Sequence, residues 1–322
     1  MAQVQSKMAF LMDPIEAESF SASTTLVLMR EAQRRGHEVL YVEPRDLCVL
    51  DGRAASRVTP ITLDWEASRV VRGETRLAFL DDEIDVVFQR KDPPVDADYM
   101  ATTQILGSCR RTLVLNRPSS VLAYNEKLFT LHFRELMPET IVTRSLEPLR
   151  QFMKEMGGEM IVKPLDGKGG EGIFHLVEGE RNISSILEQS TAFETRYVMA
   201  QRYLPEVRSG DKRILLLEGD PIGALMRIPA ESEVRANLHV GGTAGPAELD
   251  DDDRRILEVI SPVLAREGLF FVGIDVIGGL LTEVNVTSPT GIQEINALEG
   301  GRLEEQILER VETRLSERPA SR

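Results

Sequence analysis

A chain of 322 residues, 42% hydrophobic and 28% charged, has the composition of a globular protein with room for two or three packed units. Its net charge of −14 argues against general nucleic-acid binding, which rests on neutralising phosphates, and no apolar run approaches the ~18 residues of a membrane span. The only cysteines, Cys48 and Cys109, argue against a disulfide framework, and no signal-like segment follows the polar residues 1–7, so a reducing cytoplasm is expected.

Residues 8–12 read as an apolar strand, and Ser21 or Ser23 caps a helix that runs to Arg35 and stops at Gly36. Residues 39–42, 86–88 and 113–115 read as further buried strands, so the first ~120 residues suggest a parallel, Rossmann-like α/β unit. Asp13-Pro14 stands after the first strand where a dinucleotide fold carries Gly-x-Gly-x-x-Gly, which disfavours nicotinamide or flavin. Ligands of such sheets gather at the carboxyl ends of strands, where Asp13-Pro14 and Gln89-Arg90-Lys91-Asp92-Pro93-Pro94 fall. Arg90 and Lys91 there suit a substrate carboxylate, and equally a solvated, proline-stiffened loop.

Asn116-Arg117-Pro118 marks a domain boundary before a helical segment, 119–133, that carries Asn125-Glu126-Lys127. Residues 160–164 form an apolar strand ending in Lys163-Pro164, and four glycines follow in six positions, Gly167, Gly169, Gly170 and Gly172. Backbone N–H groups at such glycines approach an anion closely, so with Lys163 beside them the run reads as a flap over phosphates, the alternative being a plain flexible hairpin. It is not a Walker loop, because Gly-Lys-Ser/Thr is absent and a strand follows. Residues 196–204 read as a strand whose exposed backbone suits an adenine edge.

Asp211 and Arg213 share one face of the next strand, where an arginine either stabilises a developing negative charge or simply pairs within the sheet. The polar stretch 230–245, containing Arg235, Asn237 and His239, reads as a mobile lid loop. Asp250 to Asp253 lack EF-hand spacing and read as a solvated N-terminal cap of a helix over 254–267. Residues 303–315 read as an amphipathic helix. The four histidines are scattered, no Cys/His cluster has zinc spacing, and none is assigned a catalytic role.

Two β-rich runs, 269–277 and 281–286, flank Gly278-Gly279 as in a hairpin. Glu283 and Asn285 project from one strand face, and a three-residue loop, Gly278-Gly279-Leu280, is expected because it sets Asp275 across from Glu283. Two carboxylates and an amide oxygen make a partial hard-oxygen cage suited to Mg²⁺ that takes its remaining ligands from water and phosphates; a solvated polar face is the plainer alternative.

The order of Asn125-Glu126-Lys127, Lys163-Pro164-Leu165-Asp166-Gly167, Asp211-Lys212-Arg213 and Asp275 through Glu283-x-Asn285-Val-Thr-Ser-Pro-Thr resembles the ATP-grasp ligases, and within them the prokaryotic-type glutathione synthetase family. Met12-Asp13-Pro14, Arg90-Lys91-Asp92-Pro93-Pro94 and Met199-Ala200-Gln201-Arg202-Tyr203-Leu204-Pro205 match that family as well, so the likeness covers about residues 8–315. It implies an α/β ATP-grasp fold: an N-terminal Rossmann-like substrate domain (1–122), a central α+β lid (123–204) and a C-terminal catalytic subdomain (205–322). It also implies ligation of γ-glutamylcysteine to glycine through an acyl phosphate, which explains the missing Ser/His or Cys/His constellation, since phosphoryl transfer needs positioning and charge neutralisation more than a nucleophilic side chain.

Carried over by position, Asp275, Glu283 and Asn285 hold two Mg²⁺ ions, with Mn²⁺ as the alternative, and Lys127 and Lys163 contact the phosphates of ATP. Gly167, Gly169 and Gly170 cover those phosphates, and Gln201, Tyr203 and Leu204 line the adenine site. Arg213 stabilises the acyl phosphate, Arg235 and Asn237 belong to the mobile loop, and Asp13, Arg90, Ser288 and Thr290 fix the substrates. That loop departs from the commoner Arg-Gly-Asn-Leu-Ala-Ala-Gly-Gly wording at Ala236 and His239-Val240. The family also implies a cytoplasmic homotetramer with no nucleic-acid or membrane partner. The rivals are another ATP-grasp ligase, of glutamate or D-alanine type, and a nucleotide-binding regulatory protein without turnover.

Overall fold

A computed structural model of the chain describes residues 5–318 apart from 232, 234, 239 and 240. The first sheet holds β1 (Lys7–Leu11), β2 (Glu38–Val42), β3 (Leu47–Leu50), β4 (Arg53–Asp64), β5 (Arg69–Arg72), β6 (Arg76–Phe79), β7 (Val86–Gln89) and β8 (Leu113–Leu115). Its parallel half, β2-β1-β7-β8, consists of the four expected apolar runs, buried by helices because parallel strands need cover on both faces. Helix α1 (Thr24–Arg34) starts where Ser23 Oγ accepts the Leu26 N–H. The antiparallel ribbon β3 to β6 was not expected from the sequence; β3, β5 and β6 are four residues each and largely exposed, and the twelve-residue β4 that joins them lacks a strict alternation of buried and exposed positions.

The segment 119–133 is not one helix. Helices α2 (Leu80–Glu83), α3 (Ala97–Gly107) and α4 (Pro118–Ala123) come first, and a 3₁₀ stretch, Leu128–Leu136, follows a break. Asn125 causes that break: its Oδ1 accepts the N–H groups of Lys127 and Leu128, offering the backbone a partner outside the helix.

A second, antiparallel sheet contains β9 (Thr140–Thr143), β10 (Glu159–Pro164), β11 (Phe174–Val177) and β12 (Val198–Arg202), in the order β11-β10-β12-β9. With α5 (Leu146–Glu155) and α6 (Ile183–Ser190) it encloses its own core, including Leu149, Phe152, Met160, Val162, Leu176, Leu187 and Val198. The third sheet is β13 (Asp211–Leu217), β14 (Asp220–Ile228), β15 (Thr243–Pro246), β16 (Phe271–Ile277) and β17 (Leu280–Asn285), ordered β15-β14-β13-β16-β17. Helix α7 (Asp251–Arg266) covers it, and α8 (Ile292–Glu299) and α9 (Leu303–Ser316) join the third unit to the first: Ile292, Ile307 and Leu308 pack in one core with Met8, Phe10 and Leu28.

The acidic run caps α7 as expected, with a reciprocal Asp250–Asp253 capping box. It is not wholly solvated, because Asp253 is fully buried and ion-paired with Lys212.

The β16–β17 connection corrects the expected loop. Ile277 pairs with Leu280 across a two-residue turn, Gly278 and Gly279, whose φ values of 56° and 74° suit a type I′ hairpin. Val276 then pairs with Leu281, but a bulge leaves Thr282 out of register, and Asp275 lies opposite Glu283 after all. The extra residue sits in the strand and not in the turn.

Candidate active site

Sheets two and three face one another across a cavity of about 670 Å³ that also reaches the start of α1 and the loop after β7. Register builds its floor. On the third sheet Asp211 lies opposite Arg227, Arg213 opposite Asp275, and Asp275 opposite Glu283, so a row of charged side chains crosses β14, β13, β16 and β17. Arg213 grips Asp275 with two bonds, Nε to Oδ1 at 2.5 Å and a terminal nitrogen to Oδ2 at 2.9 Å. Arg227 bonds Asp211 at 2.5 Å and reaches Asp275 at 3.0 Å. Gly273 leaves room for this, since a Cβ there would stand 3.1 Å from Arg213 Cδ.

These groups are buried, so their charges depend on one another. Burial alone would raise the Asp275 carboxyl, but the guanidiniums of Arg213 and Arg227 hold it far below the usual carboxylate range. Asp211 is pushed up to about 6, chiefly by burial, against the pull of Arg227.

Two lysines reach the cavity from different elements. Lys127 Nζ, at the helix break, donates to Glu283 Oε1 at 2.9 Å and to the Gly167 carbonyl at 2.8 Å. Lys163, on β10, donates at 3.1 Å to the carbonyl of Thr282, the bulge residue. The bulge that restores the Asp275–Glu283 register therefore also anchors the lysine of the opposite sheet. Burial lowers the Lys163 ammonium to about 8. Asn285 Nδ2 contacts the Gly273 carbonyl and Asp275 Oδ2, both at 3.3 Å.

Gly167, Gly169 and Gly170 line the cavity, as do Gln201, Tyr203, Leu204, Ser288 and Thr290. Gln201 Nε2 bonds Thr140, and the Tyr203 ring stacks on His175 at 4.0 Å. The lid loop meets the glycine flap: Arg235 donates to the Gly170 carbonyl at 3.1 Å, and Asn237 Oδ1 would stand 2.7 Å from a Cβ at Gly170. Ala236 lines the cavity, whereas His239-Val240, the other departure from the family wording, lies outside the described residues. Arg90 is buried in the cavity wall, bonded to Thr25 and to the Pro289 carbonyl. Asp13 is not brought to the cavity; its carboxylate takes Lys91 Nζ and the Asp92 N–H and so braces the loop that carries Arg90.

Sequence reasoning assigned no role to Arg227, Glu126 or Thr282. Glu126, quoted only as part of a motif, accepts the N–H groups of Val286 and Thr287 and the Thr287 hydroxyl through one oxygen, tying the helix break to the end of β17. Arg227 was hidden by a second bulge, between Leu215 and Leu216, which shifts the β13–β14 register away from simple counting back from the turn.

A family model described as the prokaryotic glutathione synthetase N-terminal domain matches residues 6–121, and one described as its ATP-grasp domain matches 126–300. The chain is 47% identical over 310 residues to a glutathione synthetase of Gloeobacter violaceus, covering 94% of this chain and 95% of that protein. It is 41% identical over 312 residues to one of Vibrio cholerae, covering 96% and 98%. Among solved structures it resembles the D-cycloserine synthetase DcsG, with a TM-score of 0.67 at 16% identity over 96% of this chain and 99% of that one. The ATP-grasp ligase PsnB, complexed with minimal precursor, Mg and ADP, gives 0.60 at 16% over 97% and 98%. At such low identity these two structures speak for the fold alone. With a cavity between two antiparallel sheets and two family models that together span most of its length, the chain belongs to the prokaryotic glutathione synthetases, ATP-dependent carboxylate–amine ligases of ATP-grasp fold.

Proposed function

We propose that this cavity joins γ-glutamylcysteine to glycine, with ATP converted to ADP and phosphate. The observation that carries the reading is the charged row across the third sheet, facing Lys163 and the glycine flap of the second. Carboxylate is a poor acyl donor, and transfer of the γ-phosphoryl group to its oxygen creates a leaving group that the glycine amine displaces. Lys127 and Lys163 neutralise the phosphates, Gly167, Gly169 and Gly170 cover them, and Gln201, Tyr203 and Leu204 take the adenine. Arg213 stabilises the charge that develops on the acyl group, and Ser288, Thr290 and Arg90 orient the substrates. Arg235 and Asn237 close the site against water that would hydrolyse the acyl phosphate. The units 1–122, 123–204 and 205–322 act as substrate domain, lid and catalytic subdomain.

Asp275, Glu283 and Asn285 fit two Mg²⁺ ions by donor chemistry, being hard oxygen groups; the described contacts engage Oε1 of Glu283, while both Asp275 oxygens are also paired with arginines and would be shared with the ions. Among the described residues no group of three or more His, Cys, Asp or Glu could hold a metal by itself, so phosphates and water supply the remaining ligands. Bound there, the ions neutralise phosphate charge during transfer. A homotetramer in the cytoplasm accords with the family, and both cysteines are free. The test is ADP release with ATP, γ-glutamylcysteine and glycine, each omitted in turn. Full release only with all three supports the ligase, whereas release indifferent to the dipeptide contradicts it.

A further inference from the structure

The loop after β7, the glycine flap and the residues after β17 belong to three different units, and one carboxylate joins them. Asp92 Oδ1 accepts the Ser288 hydroxyl at 2.6 Å, and Asp92 Oδ2 accepts Lys168 Nζ at 3.0 Å. Its own place is fixed from the first unit, where Asp13 Oδ2 accepts the Asp92 N–H at 3.1 Å and Asp13 Oδ1 takes Lys91 Nζ at 3.0 Å. Asn125, Lys127 and Arg235 hold the flap by its backbone carbonyls, whereas Lys168 reaches out of the flap with its own side chain. Both members of the Lys168–Asp92 pair are nearly half-exposed. A pair in that setting shifts an equilibrium by no more than about fivefold, enough to bias the flap and little enough to let it go.

Arg90, on the same loop as Asp92, and Ser288, bonded to it, both line the cavity. Ligand contacts that steady this loop therefore steady the seat of Lys168. We propose that the Lys168–Asp92 contact couples filling of the donor side of the cavity to seating of the glycine flap, with Lys168 a positioning residue that keeps water from the acyl phosphate. The inference rests on the ligase reading above and adds to it a control of coupling between ATP use and ligation. With the flap unseated, a water oxygen adds to the acyl carbon and the bond from that carbon to the phosphate-bearing oxygen breaks. The dipeptide carboxylate, phosphate and a proton are released, and ATP is consumed without product.

The test measures ADP and ligated product in the same samples, with ATP, γ-glutamylcysteine and glycine, for the intact wild type, Lys168→Met, Lys168→Arg and Asp92→Asn. The wild type should form the two in equal amounts. Lys168→Met, which keeps an unbranched stem and loses the charge, should raise the ratio of ADP to product about twofold at glycine near its KM. Excess glycine should bring that ratio back, since amine and water compete for the same acyl carbon. Lys168→Arg should stay near wild type, because a guanidinium pairs with the same carboxylate. Asp92→Asn should leak by itself and add nothing to the leak of Lys168→Met, as expected of two groups in one contact. Thermal unfolding of Lys168→Met should shift by at most a few degrees, which separates the leak from a loosened fold. ADP and product in equal amounts in Lys168→Met at every glycine concentration would overturn the inference, and so would additive leaks in the double variant or a Lys168→Arg as leaky as Lys168→Met. If the wild type forms no ligated product, the ligase reading falls and this inference with it, a result distinct from tight coupling in Lys168→Met.

Discussion

Two glycine-containing hairpins face each other across the cavity, and they are held in opposite ways. The β16–β17 hairpin is fixed largely from within its own sheet: Arg213 and Arg227 clamp Asp275, and Thr282 Oγ1 bonds back to the Asp275 carbonyl. The glycine flap between β10 and β11 is anchored largely from outside its sheet, by Asn125 on Leu165, Lys127 on Gly167, Arg235 on Gly170 and Lys168 on Asp92. Groups that must hold charge in one geometry sit on rigid strands, and groups that must cover and release sit on a loop with few contacts of its own. Two of those anchors, Arg235 and Asp92, come from the other units, so the seating of the flap reports how those units stand against it.

Removing a fixed charge should cost most. Glu283→Gln should lower kcat on the order of 10³-fold at ordinary Mg²⁺, since a metal site supplies several kcal/mol of charge stabilisation, and ADP release across an Mg²⁺ titration checks it. Wild-type turnover with an unchanged Mg²⁺ requirement would sink the metal assignment. Arg213→Ala should slow turnover about 10²–10³-fold and also lower the unfolding free energy by about 3 kcal/mol, because it leaves Asp275 with only one of its two cations. Denaturant melts measure the second effect, and nucleotide binding by calorimetry should survive.

Disturbing the flap should cost activity more than stability. Gly170 has φ of 85°, and a Cβ there collides with Asn237. Gly170→Ala should therefore reduce kcat about tenfold, lower the thermal unfolding temperature by only a few degrees, and abolish the slowing of tryptic cleavage at Arg235 that saturating ligands are expected to give in the wild type.

How the two hairpins differ was only partly legible in the sequence. Gly278-Gly279 announced one hairpin and the glycine cluster announced the other, because glycine reports backbone demands directly. The parallel strands were legible for the same local reason, as bounded apolar runs. The bulge at Thr282 was not, since nothing local separates a bulge from a longer turn, and the right pairing of Asp275 with Glu283 was reached through the wrong loop. Arg227, Glu126 and Asp253, the one buried aspartate of its run, act through partners distant in the chain, which periodicity cannot see.

The smallest expected effect is a pH dependence. Burial lowers Lys163 to about 8, so its charge is present below that pH and is lost as pH rises through it. The KM for ATP should rise about threefold between pH 7 and 9 in the wild type and stay flatter in Lys163→Arg, whose guanidinium keeps its charge across that range. For stability the sign is reversed: the unfolded lysine binds its proton more tightly, so the destabilisation from this group is full below about pH 8 and fades toward its ordinary value of 10.5.

If the charged row makes an acyl phosphate before the amine arrives, that intermediate can be trapped. With ATP, Mg²⁺ and γ-glutamylcysteine present and glycine omitted, hydroxylamine should trap the intermediate as a hydroxamate, with ADP formed in equal amount. ADP release that still requires glycine, with no hydroxamate at any hydroxylamine concentration, would contradict it.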